Sequence, residues 1–155
     1  MKKLFLFCFS LMSIVEVSFS QWNVSSAINT PVCVQPNNQH WQKMVTDSKG
    51  GVIIVWEDER NALLPDTSAD IYVQRLDKNG FAKWTVNGVN ICGNDSDQSK
   101  VAIIDDGFGG AIISWNDLRA GDMDVYAQRV DSSGNILWTA DGVAVSGAGK
   151  IHKHP

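Results

Sequence analysis

The chain has 155 residues, of which 44% are hydrophobic, and its formal net charge at pH 7 is -4. This composition is that of an ordinary globular protein with a hydrophobic core and not that of a disordered chain. The excess of acidic side chains argues against nucleic acids and anionic membrane surfaces as partners, because both bind basic patches.

Residues 1–20 have the pattern of a secretory signal peptide. Two lysines precede an apolar run at 4–15, and the small residues Ser18 and Ser20 mark a signal peptidase site. The alternative, an uncleaved membrane anchor, is disfavoured because the run is too short to span a bilayer of about 30 Å. We therefore expect a secreted or cell-surface protein that begins at Gln21 and does not contact the membrane after cleavage.

After the signal peptide the chain contains an internal repeat, which decides the predicted fold. Residues 50–60 match residues 109–119 at seven of eleven positions, and residues 70–92 match residues 124–146 at ten of twenty-three. The first copy has a longer loop ahead of residue 70. We divide the mature chain into the tail of a preceding blade at 21–38, a first repeat at 39–92, a second repeat at 98–146 and the truncated start of a third repeat at 147–155.

Each repeat is predicted to contain four short antiparallel strands, because short β-branched and aromatic runs alternate with turn residues. The first three strands are expected at 41–45, 52–56 and 71–76, and at 100–104, 111–115 and 125–130 in the second repeat. The fourth is expected to run through Trp84 and Trp138, ahead of tight turns at Asn87-Gly88 and Asp141-Gly142. The predicted fold is all-β, with two four-stranded blades of an incomplete β-propeller, since a closed ring typically has about four to eight blades.

Three motifs recur in this order: W-x-D-x-R, D-[IV]-Y-x-Q-R and D-x-x-G-x-x-x-W-T-x-[ND]-G-V. Together they resemble the repeats of large exported, propeller-like bacterial proteins, many of which are cargo of type IX secretion. The resemblance covers residues 39–146 and implies an extracellular location with a binding or scaffold role. The last motif also resembles a loosened form of the Asp-box turn of sialidases, without its Ser-x-Asp-x-Gly spacing.

Residues that recur in both repeats are interpreted as structural, because an active site needs its groups only once. They are Trp56, Asp58, Arg60, Asp70, Tyr72 and Trp84 in the first repeat and Trp115, Asp117, Arg119, Asp124, Tyr126 and Trp138 in the second. The aspartates of W-x-D-x-R are expected to accept backbone N–H groups of the turn after the second strand. The arginines are expected to pair with Asp70 or Asp124.

Unrepeated residues on loops are the better candidates for ligand binding, because binding residues concentrate on loops held by a rigid scaffold. The loops after the second and fourth strands are expected at one face of the blades. The candidate ligand-binding residues on these loops are Asp66, Thr67, Asp95, Asp97 and Asp122. Trp41 is also unrepeated, because the second repeat has Lys100 at that position.

No cofactor or metal site is predicted. Carboxylate oxygens of the kind that calcium binds are supplied by Asp95, Asp97, Asp105 and Asp106, but this indication is weak because no twelve-residue loop with a closing glutamate is present. His152 and His154 lack a third ligand. Cys33 and Cys92 occupy equivalent positions of successive repeats, so we expect free thiols, because a disulfide needs Cα atoms within about 7 Å.

These patterns favour a non-enzymatic, secreted binding or scaffold module with an extracellular glycan or protein, further blades or a second copy as its partner. The alternative is part of a propeller-fold glycoside hydrolase, sialidase-like enzyme or lyase. No catalytic residue is assigned, because no Ser-His-Asp arrangement and no G-x-S-x-G motif support one. A pair of catalytic carboxylates stays open, because separation in space cannot be read from sequence. A raised carboxyl pKa in a deep cleft would favour the enzyme. An open surface with carboxylates on turns would favour the binding module.

Overall fold

The computed structural model describes residues 29–62 and 68–146. Several expectations fall outside these ranges: the signal peptide at 1–20, the first part of the 21–38 segment, the loop residues Asp66 and Thr67, and the third-repeat residues 147–155 with their two histidines. Between 29 and 62 and between 68 and 146 there is no helix that could cross a membrane.

The described residues form two four-stranded antiparallel sheets and no helix, which confirms the predicted all-β class. The first sheet contains β1 (Gln39–Thr46), β2 (Val52–Asp58), β3 (Asp70–Leu76) and β4 (Val89–Cys92). The second contains β5 (Gln98–Asp105), β6 (Ala111–Asp117), β7 (Asp124–Val130) and β8 (Val143–Ala144). In both sheets each strand pairs with the next along the chain, and the sheets do not close into a ring.

The hydrophobic core lies between the two sheets. The first sheet contributes Ile53 and Val55 of β2 and Ile71 and Val73 of β3, all fully buried, because alternate residues of a strand point to the same face. The second sheet contributes Val101, Ala111, Ile113, Trp115 and Val130. Burying an aliphatic side chain of this size contributes about 1.5–3 kcal/mol. The two sheets are therefore held together mainly by apolar packing.

The prediction that the fourth strand runs through Trp84 and Trp138 is wrong. The fourth strands are β4 and β8, which follow the tight turns instead of preceding them. The reason is the buried side chain of Gln74, whose Oε1 accepts the N–H of Trp84 at 3.0 Å and whose Nε2 donates to the carbonyl of Thr85 at 2.8 Å. Gln128 makes the same two hydrogen bonds in the second sheet. A side chain thus satisfies backbone groups that a neighbouring strand would otherwise satisfy.

Candidate functional site

The recurring motif residues form one polar cluster in each sheet. In the first, Asp58 Oδ2 accepts Trp56 Nε1 at 2.6 Å, and Asp58 Oδ1 accepts both the backbone N–H and Nε of Arg60 at 2.9 Å. The Arg60 guanidinium lies 3.7 Å from the ring centroid of Tyr72. In the second, the same contacts join Trp115, Asp117, Arg119 and Tyr126. The aspartates therefore accept the turn N–H groups, as predicted.

The expected pairing of Arg60 with Asp70 is wrong. Arg60 forms its ion pair with Asp58, whose carboxylate also binds the Arg60 backbone and so holds the turn closed on itself. Asp70 accepts a hydrogen bond from Asn61 Nδ2 at 2.8 Å instead. Likewise, the ion pair of the second-repeat arginine is with Asp117.

Each polar cluster is closed by the segment that precedes its sheet. Cys33 Sγ lies 3.2 Å from an Arg60 guanidinium nitrogen, and Cys92 Sγ lies 3.1 Å from the equivalent nitrogen of Arg119. Both cysteines are free thiols, and burial raises the pKa of Cys92 to about 12. The same contact therefore ties each sheet to the chain ahead of it. A thiol with so high a pKa is a packing group and not a nucleophile at neutral pH.

Burial works to raise the pKa of Asp58, but hydrogen bonds from Arg60 and Trp56 outweigh it and leave that pKa below its ordinary value. The pKa of Asp117 is lowered in the same way by Arg119 and Trp115. Both carboxylates are thus ionised at neutral pH. Both oxygens of each carboxylate already accept hydrogen bonds from the arginine and the tryptophan, so these aspartates are not available to bind a ligand.

A different group of residues lines a cavity of 580 Å³ between β1 and β5, which is called the cleft below. Its walls are Trp41, Lys43, Glu57, Ser99, Lys100, Val101 and Ala102. Both strands have a β-bulge there, between His40 and Lys43 in β1 and between Ser99 and Ala102 in β5. Bulges redirect side chains and are common next to functional sites.

The bulges place two different side chains, one from each sheet at the equivalent position, in the wall of the cavity. Trp41 and Lys100 both have positive φ, 55° and 57°, which is uncommon for residues other than glycine. Trp41 is 67% exposed, and Lys100 is exposed as well. The two sheets therefore present an aromatic ring and a cation at the same structural position.

Glu57 closes the cavity and connects the two sheets. Its Oε1 accepts the backbone N–H of Lys100 at 2.6 Å, and its Oε2 lies 3.8 Å from His40 Nδ1. Burial raises the pKa of Glu57, although the backbone N–H groups of Lys100 and Val101 and nearby His40 oppose that shift. His40 Nε2 lies 3.0 Å from Glu59 Oε1. The bulge of β5 is thus fixed by a carboxylate from the neighbouring sheet.

None of the predicted ligand residues that the structure describes lines this cavity. Asp95, Asp97 and Asp122 lie exposed on loops. The cavity nevertheless lies at the predicted end of the sheets, where β1 and β5 begin and β2 and β4 end. Sequence reasoning singled out Trp41 as unrepeated but missed Lys43, Glu57 and Ser99, because nothing in the residue types marks the two bulges.

Of the four aspartates with oxygens that could bind calcium, Asp105 and Asp106 are engaged with protein groups. Asp105 Oδ2 accepts a hydrogen bond from Ser48 Oγ at 2.9 Å, and Asp106 pairs with Arg129 at 2.8 Å. Within 29–62 and 68–146, no group of three or more His, Cys, Asp or Glu side chains is arranged to hold a metal ion.

No protein-family model, no curated protein and no solved structure matches this chain. Its function is therefore inferred from its own residues and their geometry.

Proposed function

We propose that the chain is a secreted, non-enzymatic binding module of a β-propeller-like repeat protein, and that the cleft between β1 and β5 binds an extracellular glycan. Trp41 carries this proposal. Among the described tryptophans it alone lacks a counterpart in the other repeat, and it is 67% exposed at a bulge that lines the cleft. A large exposed aromatic side chain that the fold does not need is available for a ligand.

The cleft has the size and chemistry of a small-molecule site. Its 580 Å³ lies within the usual range of about 300–1,000 Å³, and its walls combine an aromatic ring with a few polar groups, which is typical of such sites. The indole face can pack against the apolar face of a sugar ring, while Ser99 and the lysines supply hydrogen bonds to its hydroxyl groups. The polar cluster of the first sheet holds the turn after β2, the strand that carries Glu57.

The second candidate function is a glycoside hydrolase, and the raised pKa of Glu57 in the cleft favours it. Two observations weigh against it. The Glu57 carboxylate is engaged by the backbone of β5, and it is the one carboxylate among the described residues that line the cleft. Glycoside hydrolysis ordinarily needs two carboxyl groups, one on each side of the scissile bond.

Affinity electrophoresis through gels that contain soluble polysaccharides tests the proposal. A retarding polysaccharide should be found for the wild type, and Trp41→Ala should abolish the retardation. Trp138→Ala is the matched control, because Trp138 is also exposed but lies outside the cleft. Equal retardation of wild type and Trp41→Ala would contradict the proposal. Release of reducing sugar by the wild type but not by Glu57→Gln would establish the hydrolase instead.

A further inference from the structure

The charge of the cleft differs from that of the chain as a whole. Acidic side chains outnumber basic ones by 17 to 13, yet two lysines and a single carboxylate line the cavity. Lys43 comes from β1 and Lys100 from β5, so the two cations approach the cleft from both sheets. A cleft with an excess of cations can attract anions even on a protein whose net charge is negative.

These two lysines differ from the described arginines, because their side chains form no ion pair within the described ranges. Arg60, Arg75, Arg119 and Arg129 all pair with an aspartate. Neither Lys43 nor Lys100 forms an ion pair with any carboxylate in 29–62 or 68–146. Even Glu57, which shares the cleft, receives the backbone N–H of Lys100 and not its ammonium group. Within the described part of the chain, both ammonium groups are therefore without a counter-charge at ion-pair distance.

Resting on the function proposed above, we infer that the glycan of this cleft is anionic, with a carboxylate or sulfate group bound between Lys43 and Lys100 while the sugar ring packs on Trp41. An ammonium group is a point charge with three donors, so it binds carboxylate and sulfate oxygens alike. A neutral glycan would leave both cations without a counter-charge.

Isothermal titration with polygalacturonate and with its methyl-esterified form tests this inference, because the two polymers have the same sugar backbone and differ at the uronate carboxyl group, which is charged in the first and a neutral ester in the second. Dextran sulfate and dextran form the second pair and test whether sulfate serves as well. The wild type should bind the anionic member of at least one pair more tightly, and this preference should weaken as salt is raised.

The variant Lys43→Gln/Lys100→Gln should lose roughly 10-fold in affinity for the anionic polymer, as two partly exposed ion pairs would predict. Lys49→Gln is the matched control, since it removes an exposed lysine from the β1–β2 turn at the opposite end of the sheet and should change nothing.

One outcome would overturn the inference of an anionic ligand but support a glycan-binding module. In that outcome, charged and neutral polymers bind equally and independently of salt, and binding is unchanged in the double variant but lost in Trp41→Ala. Equal loss of affinity in Lys49→Gln and the double variant would also overturn it, because attraction would then be general. Failure of every polysaccharide to bind would overturn both proposals.

Discussion

The two sheets have the same motif residues but bury them differently. Trp84 of the first sheet is 7% exposed and its counterpart Trp138 is 37% exposed, while Ile91 is 1% exposed and its counterpart Val145 is 64% exposed. The second sheet covers this face of the first, where Trp84 Nε1 donates to the carbonyl of Ser132 at 3.2 Å. Recurrence thus identifies the residues that each repeat needs, whereas burial depends on the neighbour that each sheet has.

A second difference lies at the end of β2 and β6. Glu57 accepts a hydrogen bond from the β5 backbone, whereas the equivalent Asn116 has a buried Oδ1 without a hydrogen-bond partner among the described residues. Arg75 donates to the carbonyl of Ser132 in the neighbouring sheet, in addition to pairing with Asp47. Among the described residues, the first sheet thus has polar bonds to a neighbouring sheet that have no equivalent on the corresponding face of the second sheet.

The polar clusters should respond identically in both sheets and give the largest losses. Asp58→Ala and Asp117→Ala each leave a half-buried arginine and a buried indole N–H without their partner. We expect each to lower the free energy of unfolding by about 3–5 kcal/mol. Asp95→Ala, on an exposed loop, should stay within about 0.5 kcal/mol of wild type. Urea unfolding measures all three, and unequal losses for Asp58 and Asp117 would show that the clusters are not equivalent.

The tryptophans after the third strands should respond unequally. Trp84→Ala removes a buried side chain from between the sheets and should cost about 3–5 kcal/mol, whereas Trp138→Ala should cost at most about 1 kcal/mol because its ring is partly solvated. The same urea titrations compare them. Equal losses would mean that a neighbour covers Trp138 in solution as the second sheet covers Trp84.

Gly134 tests the contact between the sheets from the other side. A Cβ at this residue would lie 2.7 Å from Trp84 Cγ, and its φ of 91° adds backbone strain to any substitution. Gly107 has a φ of 77° but open space around it, so Gly107→Ala measures the backbone strain alone. That strain should lower the free energy of unfolding by about 1 kcal/mol. Gly134→Ala should lower the thermal midpoint clearly more than Gly107→Ala. Equal midpoints would mean that Trp84 does not pack on this turn.

The smallest effect concerns acid stability. Asp58 and Asp117 have a lower pKa in the folded chain than the ordinary value of 3.8, because their arginine and indole hydrogen bonds outweigh burial. Their contribution to stability is therefore complete above pH 3.8 and is lost as the pH falls through their folded-state pKa values. The stability gap between wild type and Asp58→Asn should narrow below that pH. A gap that is constant with pH would contradict the assignment.

The first three strands of each repeat could be predicted from sequence because their apolar and β-branched runs are short and bounded by turn residues. For example, the strand predicted at 52–56 corresponds to β2, which spans Val52–Asp58 in the structure. The fourth strand could not be predicted in the same way, because the side chain of Gln74 makes the hydrogen bonds beside Trp84 that a neighbouring strand would otherwise make. The cleft was only half predictable: Trp41 stood out as unrepeated, but its exposure depends on a bulge with positive φ that no residue type there indicates.

The proposed binding residue, Trp41, differs between the repeats, whereas the residues that recur are expected not to contact ligand. A ¹H–¹⁵N NMR titration with the polysaccharide that retards the protein follows each tryptophan indole N–H separately. The Trp41 signal should shift with the binding curve, while the signals of Trp56, Trp84 and Trp115 stay in place because their N–H groups are already bonded within the fold. Shifts confined to Trp138 or to the buried indoles, with Trp41 unmoved, would contradict the claim.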